Sequence, residues 1–194
     1  GEMWTDRPAP VLSAAFLLDV RYTGKSASEK IKEVRAALRE KKAEATVIGA
    51  LEDVCYLFNI RGNDIECTPV VTAYALVDMQ SARLYIDARQ MTDEVKAALE
   101  KEGVSVAPYE AVFADAEKLQ GTVYLDPART NIFLRNKIKA DIIEGLNITS
   151  SMKAVKNETE IKNYRNAFLK DGIAMVKILK WVEDHADSGV TEWD

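Results

Sequence analysis

Short apolar runs alternate with capped helical stretches from about residue 26 to residue 150, and that order leaves few folds open. Ser26-x-x-Glu29 is a capping-box pattern, and Ile31, Val34 and Leu38 follow at helical spacing, so a helix is expected to about Lys42. Thr46 to Gly49 reads as a short buried strand. Val54, Leu57 and Phe58 suit a second helix ending near Asn59. Val70 to Val77 is almost continuously apolar, as in a strand covered on both faces. Asp78 to Ser81 reads as a turn, and Ala82, Leu84 and Ile86 alternate, so the two runs are expected to form a hairpin. Thr92 caps a helix with Asp93 and Glu94 in its first turn, Val95, Ala98 and Leu99 on its buried face, and Gly103 at its end.

The pattern then continues with a strand at Val104 to Ala107, a helix at Glu110 to Leu119, and a strand at Thr122 to Leu125 closed by Asp126-Pro127. A short helix over Asn131 to Lys137, a helical stretch over Ala140 to Gly145, and a last strand at Asn147 to Ser150 complete it. Such alternation specifies an α/β fold, a mixed sheet flanked by helices. Gly1 to Thr23 reads as irregular and is punctuated by Pro8 and Pro10. After residue 152 the pattern changes. Asn157-x-x-Glu160 is a second capping box, and Ile161, Tyr164, Phe168, Met175, Leu179 and Val182 predict one long C-terminal helix, Glu158 to His185, with an apolar stripe.

Composition narrows the functional classes. Hydrophobic residues make up 47% of the 194, enough for a sizeable core, but no apolar run approaches membrane-spanning length. A net charge of −5 speaks against a nucleic-acid partner, and the basic stretch Lys25 to Lys42 also carries Glu29, Glu33 and Glu40, so it reads as a solvated helix face laced with i,i+4 pairs. Cys55 and Cys67 lie in no CxxC pair and read as reduced, small core residues of a cytoplasmic protein. Asn147-Ile148-Thr149 and Asn157-Glu158-Thr159 fit the glycosylation pattern by chance, the second serving as a helix cap.

Chemistry is sparse. Gly24-Lys25-Ser26 lacks the earlier glycine of a phosphate loop, since Asp19 stands there, and no GxGxxG or GxSxG occurs. His185 is the one histidine and reads as a helix C-terminal cation rather than a ligand or base. The carboxylate pairs Asp64/Glu66 and Glu52/Asp53 read as loop and cap residues, so no catalytic residue and no metal site is assigned. The candidate binding element is the polar loop Asn59-Ile60-Arg61-Gly62-Asn63-Asp64, held between a helix and a strand. Arg61 suits a bidentate grip on a carboxylate; the other reading, that Arg61 and Asp64 brace their own loop, is the stronger.

Four collinear blocks resemble the three-domain Xaa-Pro aminopeptidases (aminopeptidase P, metallopeptidase family M24B). They are Trp4-Thr5-Asp6-Arg7-Pro8 with Tyr22-Thr23-Gly24; Ala50-Leu51-Glu52-Asp53 continuing through Leu57 to Asp64; Pro69-Val70 with Ala73-Tyr74-Ala75; and Lys153 to Asn157 with Glu160, Arg165, Ala167, Asp171-Gly172, Trp181 and Glu183. Cys55-Tyr56 departs from the family's frequent alanine-tryptophan pair. The resemblance implies a creatinase/prolidase N-terminal-domain-like (ribonuclease H-like) fold over residues 1–152, with 1–23 as the link from an absent first domain. It implies that 153–194 form a linker and the first helix of a truncated pita-bread catalytic domain. Such enzymes remove the N-terminal residue from peptides with proline in second position. They use two divalent metal ions, usually Mn2+, held by two Asp, one His and two Glu. None of those ligand motifs stands in this chain. It starts at Gly1 and reads as an excised, inactive, metal-free piece of a cytoplasmic homodimeric enzyme, with Arg61, Asp64 and Asn59 as substrate-cleft candidates for proline-containing peptides. The alternative is a non-enzymatic peptide- or protein-binding module of a pita-bread relative without metals. The stripe of the final helix, without its catalytic domain, is expected to self-associate.

Overall fold

The computed structural model describes residues 4–191 and 193. The chain divides into two compact units, residues 1–155 and 156–194. The first is built on a six-stranded sheet of β2 (Ala45–Ile48), β4 (Ala73–Asp78), β5 (Ala82–Ile86), β6 (Ser105–Pro108), β7 (Thr122–Leu125) and β8 (Asp141–Glu144). Their order across the sheet is β6-β5-β4-β2-β7-β8. Only β4 runs against its neighbours, pairing antiparallel with both β2 and β5; the pairs β2/β7, β7/β8 and β5/β6 are parallel. The expected hairpin is therefore present, with Leu76 opposite Arg83.

Alternation of side chains along each strand supplies two faces. On one, Ala73, Ala75 and Val77 of β4 pack with α2 (Ala27–Glu40), α3 (Leu51–Phe58), α4 (Asp93–Lys101) and Ile148 of α7 (Ile148–Ala154). On the other, Tyr74 and Leu76 pack with α5 (Ala111–Glu117) and with Leu134 of α6 (Ile132–Lys137). Three of the helix starts read from the sequence carry side-chain caps. Ser26 and Glu29 form a reciprocal capping box, Thr92 accepts from the Val95 amide, and Asn131 accepts from Leu134. The second unit contains α8 (Glu158–His185), whose bounds are the expected ones and whose N-terminus carries the Asn157/Glu160 capping box. Among the described residues no helix is long and apolar enough to cross a membrane.

Several expectations are corrected. Ala140 to Gly145 is not helical: its centre is β8, an edge strand paired in register with β7. Its charged ends, Asp141 and Glu144, suit an edge that must not recruit another strand. Asn147 to Ser150 is not a strand but the cap and first turn of α7. Val70 and Val71 are buried but precede β4, which begins at Ala73. The stretch 1–23 is not irregular throughout. It contains β1 (Phe16–Leu17), paired antiparallel with β3 (Ile60–Arg61), and α1 (Val20–Thr23), capped by Asp19; Gly1, Glu2 and Met3 of the expected linker lie outside the described residues. Cys67 is exposed rather than a core residue, at the left-handed φ of 58° in the turn Ile65–Thr68, while Cys55 is buried; both thiols are free. Lys30 is not on a solvated face: it is 0% exposed, and Lys25, just before that helix, pairs with Glu33, eight positions on rather than four.

Candidate functional site

Helix α3 ends at Asn59, whose φ of 53° is a left-handed C-cap that asparagine tolerates better than branched residues. The Asn59 side chain is spent internally. Its Oδ1 accepts from Lys30 Nζ at 2.6 Å, and its Nδ2 donates to the Lys25 carbonyl at 2.8 Å. Lys30 also donates to the Tyr56 carbonyl at 2.8 Å and lies 3.9 Å from the Tyr56 ring centre. A buried ammonium is tolerated there because carbonyls at a helix C-terminus and a ring face all favour positive charge.

Arg61 turns inward too. Its Nη1 donates to the carbonyls of Cys55 at 2.9 Å and Ile60 at 2.8 Å. Burial pulls the guanidinium pKa below its ordinary value, with the neighbouring Cys55 acting the other way. The Cys55 thiol is itself pushed up by burial, so it is a neutral core group and not a nucleophile.

Asp64 is the hub of the loop. Its Oδ1 accepts from the Ser13 amide and hydroxyl, both at 2.8 Å, and its Oδ2 accepts from the Thr72 amide at 2.7 Å. Gln90 Nε2 reaches both oxygens, at 3.0 and 2.8 Å. Desolvation raises the Asp64 pKa, but the Ser13 and Thr72 amides, the Ser13 hydroxyl and Gln90 outweigh it, leaving the carboxyl below its ordinary value. The Ser13 hydroxyl also accepts from the Asn63 amide at 2.6 Å. Between these anchors stands Gly62, where a Cβ would run into Val71 and Ser13. The loop is thus a clamp that ties the incoming segment around Ser13 to the sheet.

The three candidates share a loop but do not converge. Among the described residues no ion pair joins Arg61 to Asp64, and the side chains of Asn59, Arg61 and Asp64 each bond elsewhere. Two open grooves lie away from them. One, of about 290 Å3, lies beside edge strand β6 among Ile86, Met91, Val106 and Pro108. The other, of about 470 Å3, lies at the far end of the sheet among Glu44, Asp78, Gln80 and Lys118.

A second cluster was not assigned from the sequence. Parallel neighbours β2 and β7 send their following helices, α3 and α6, to opposite faces of the sheet, which creates the crevice where open α/β sheets commonly take ligands. Asp53, on α3, and Asp126, just after β7, stand there at 1% and 4% exposure. Asn147 fills the crevice: its amide donates to Asp126 Oδ2 at 3.0 Å and its Nδ2 to Asp53 Oδ2 at 3.2 Å. Ser150 Oγ and Lys153 Nζ, the latter at 2.9 Å, also meet Asp53. The signal lay in the sequence as polar residues at positions 147, 150 and 153, a spacing of three that only a helix places on one face. Burial of Asn147 and Thr149 also removes that tripeptide from consideration as a glycosylation site.

These residues do not fit a pair of catalytic metal ions. Among the described residues no group of three or more His, Cys, Asp or Glu is placed to hold a metal. Asp53, Asp64 and Asp126 are already engaged by protein donors, and His185 stacks on Trp181, with Nδ1 2.8 Å from the Trp181 carbonyl.

Comparison with known proteins gives the family. Residues 6–160 match the family model described as Creatinase/Prolidase N-terminal domain. A probable Xaa-Pro aminopeptidase P of Sordaria macrospora is 37% identical over 191 residues, covering 92% of this chain and 31% of the relative. Xaa-Pro aminopeptidase 1 of Dictyostelium discoideum is 32% identical, covering 89% of this chain and 28% of the relative. In three dimensions the chain is similar to an X-prolyl aminopeptidase from Caenorhabditis elegans, described as a cytosolic enzyme with a di-nuclear active site. The TM-score is 0.89 at 34% identity, over 97% of this chain and 32% of that one. The chain therefore spans about a third of the length of the relatives it matches.

Proposed function

This chain belongs to the creatinase/prolidase N-terminal domain family, and on that premise we propose that it is a non-catalytic region of a metal-dependent Xaa-Pro aminopeptidase. The observation that carries the proposal is the internal engagement of its polar groups. Asn59, Arg61, Asp64, Asp53 and Asp126 each meet protein partners, and none is left poised over a cavity to activate water or hold a metal. Its contribution is architectural. The Asn59–Asp64 loop, read above for a substrate cleft, is a rigid wall element clamped to the Ser13 segment. Catalysis on proline-containing peptides, the two divalent metal ions (Mn2+), the homodimer and the cytoplasmic location belong to the parent protein in this proposal. So does the division into residues 1–152 and 153–194.

The test is direct. The 194-residue chain is incubated with Mn2+ and an Xaa-Pro peptide, then assayed for the released N-terminal residue and for bound metal by elemental analysis. Turnover at blank level and substoichiometric metal are expected. Turnover above blank with stoichiometric metal would overturn the proposal. A pull-down in which this chain holds proline-free peptides as tightly as Xaa-Pro ones would instead favour a binding module.

A further inference from the structure

Helix α7 closes the first unit, and three residues after its last member, Ala154, comes the cap of α8. Little apolar surface holds it. Of its residues Ile148 is buried and Met152 partly so, whereas Val155, just beyond, is 79% exposed. Thr149 is fully buried, yet its hydroxyl has no partner. Polar contacts do the holding: the Asn147 amide meets Asp126, and three side chains converge on one carboxylate, Asp53. Asp53 accepts from Asn147 Nδ2, from Ser150 Oγ and from Lys153 Nζ, at the cap, third and sixth residues of one helical face. Asn147 gives up capping its own helix to do so, for it makes no side-chain cap bond. The acceptor is immobile because Val54, Cys55, Leu57 and Phe58 of the same helix α3 lie in the core.

We propose that α7 is a detachable element held by the Asp53 latch, able to leave the sheet as a unit while β2, β4 and their core stay folded. The asymmetry of the contact explains why. Removing one partner while α7 stays docked strands a buried group, which is costly. When α7 leaves, Asp53, Asn147 and the orphaned Thr149 hydroxyl gain water together, while Lys153, already partly exposed, keeps its own, so the opening avoids that penalty. Local openings of this kind populate below the free energy of global unfolding. Release frees the segment that carries the chain from the α/β unit into α8. The inference rests on contacts within the first unit and does not depend on the aminopeptidase reading.

Native-state hydrogen exchange of the whole chain across a low urea series tests it. The α7 amides are expected to exchange through an opening with little denaturant dependence, while the β2 and β4 amides track global unfolding. Asp53→Asn should speed α7 exchange about 10- to 100-fold, the loss expected for a buried charge-assisted contact. The same variant should move β4 by much less. Lys153→Met and Ser150→Ala, which leave the core untouched, should each give a several-fold version of the same local effect and keep the test open if Asp53→Asn does not fold. Exchange of α7 with the denaturant dependence of β4, or variants that accelerate all amides equally, overturns the latch.

Discussion

Replacing Asp64 by alanine removes the acceptor for four donors drawn from three distant stretches of chain: the Ser13 amide and hydroxyl, the Thr72 amide and Gln90 Nε2. The donors do not lose equally. The partly exposed Ser13 and Thr72 groups can reach water, but Gln90 is 1% exposed and its amide is left facing an empty pocket. Flipping that amide does not help, because Gln90 Nε2 also holds the Ser13 carbonyl at 3.1 Å. With bonds to a charged group contributing about 1.5–3 kcal/mol each, and the exposed ones discounted, Asp64→Ala should cost about 2–4 kcal/mol. For a chain of this size that is a fall of roughly 5–15 °C in melting temperature. Asp64→Asn, which keeps one acceptor, should lose about half as much. The assay is urea unfolding followed by tryptophan fluorescence and circular dichroism.

The pH dependence supplies a second, sign-specific check. The folded carboxyl sits below its ordinary 3.8, so the unfolded chain binds its proton first as pH falls. The Asp64 contribution from ionisation is therefore present above about pH 4 and fades as pH drops through the folded value; the gap between wild type and Asp64→Ala should narrow there. A variant within 0.5 kcal/mol of wild type at pH 7, a magnitude typical of surface substitutions, or a gap that persists unchanged well below pH 4, would refute the clamp.

Three further outcomes follow from other parts of the chain. Arg61→Ala should lower the stability of this chain to urea, because its guanidinium serves the Cys55 and Ile60 carbonyls; an unchanged urea midpoint would mean that the guanidinium does not brace the loop. Cys67, exposed at its turn, should react with a thiol reagent in the native state and Cys55 only on unfolding, so two equally fast thiols would contradict the burial of Cys55. The stripe of α8, with Phe168 and Leu179 exposed, should drive self-association in sedimentation at high concentration, and Phe168→Glu should reverse it; a wild-type chain that stays monomeric would count against this.

Much of the fold was legible from local signals. Each capping box and cap read at Ser26, Thr92 and Asn157 is present, and the apolar period of α8 predicted its ends. These features depend on side chains within a few residues of one another, which is why the sequence carries them. The site was less legible. Arg61 bonds the nearby Cys55 and Ile60 carbonyls, but the partners of Asp64 at Ser13, Thr72 and Gln90 come from segments whose proximity no local pattern encodes.

The two exchanged elements show where local reading ends. Asp141-Ile-Ile-Glu has charged ends suited to a helix, yet becomes β8 because β7 offers a free parallel edge at that distance. Ile148 and Thr149 favour extended backbone, yet lie in α7 because Asp53 and Asp126 capture donors that only a helix can present together. By itself the sequence determined that strands and capped helices alternate into an α/β unit followed by one long helix, since both follow from periodicity and capping. The tertiary structure alone decided which edge pairs and which buried carboxylate holds which helix. Those outcomes depend on groups 19 to 97 residues apart, brought together only when burial of the two sheet faces fixes their positions.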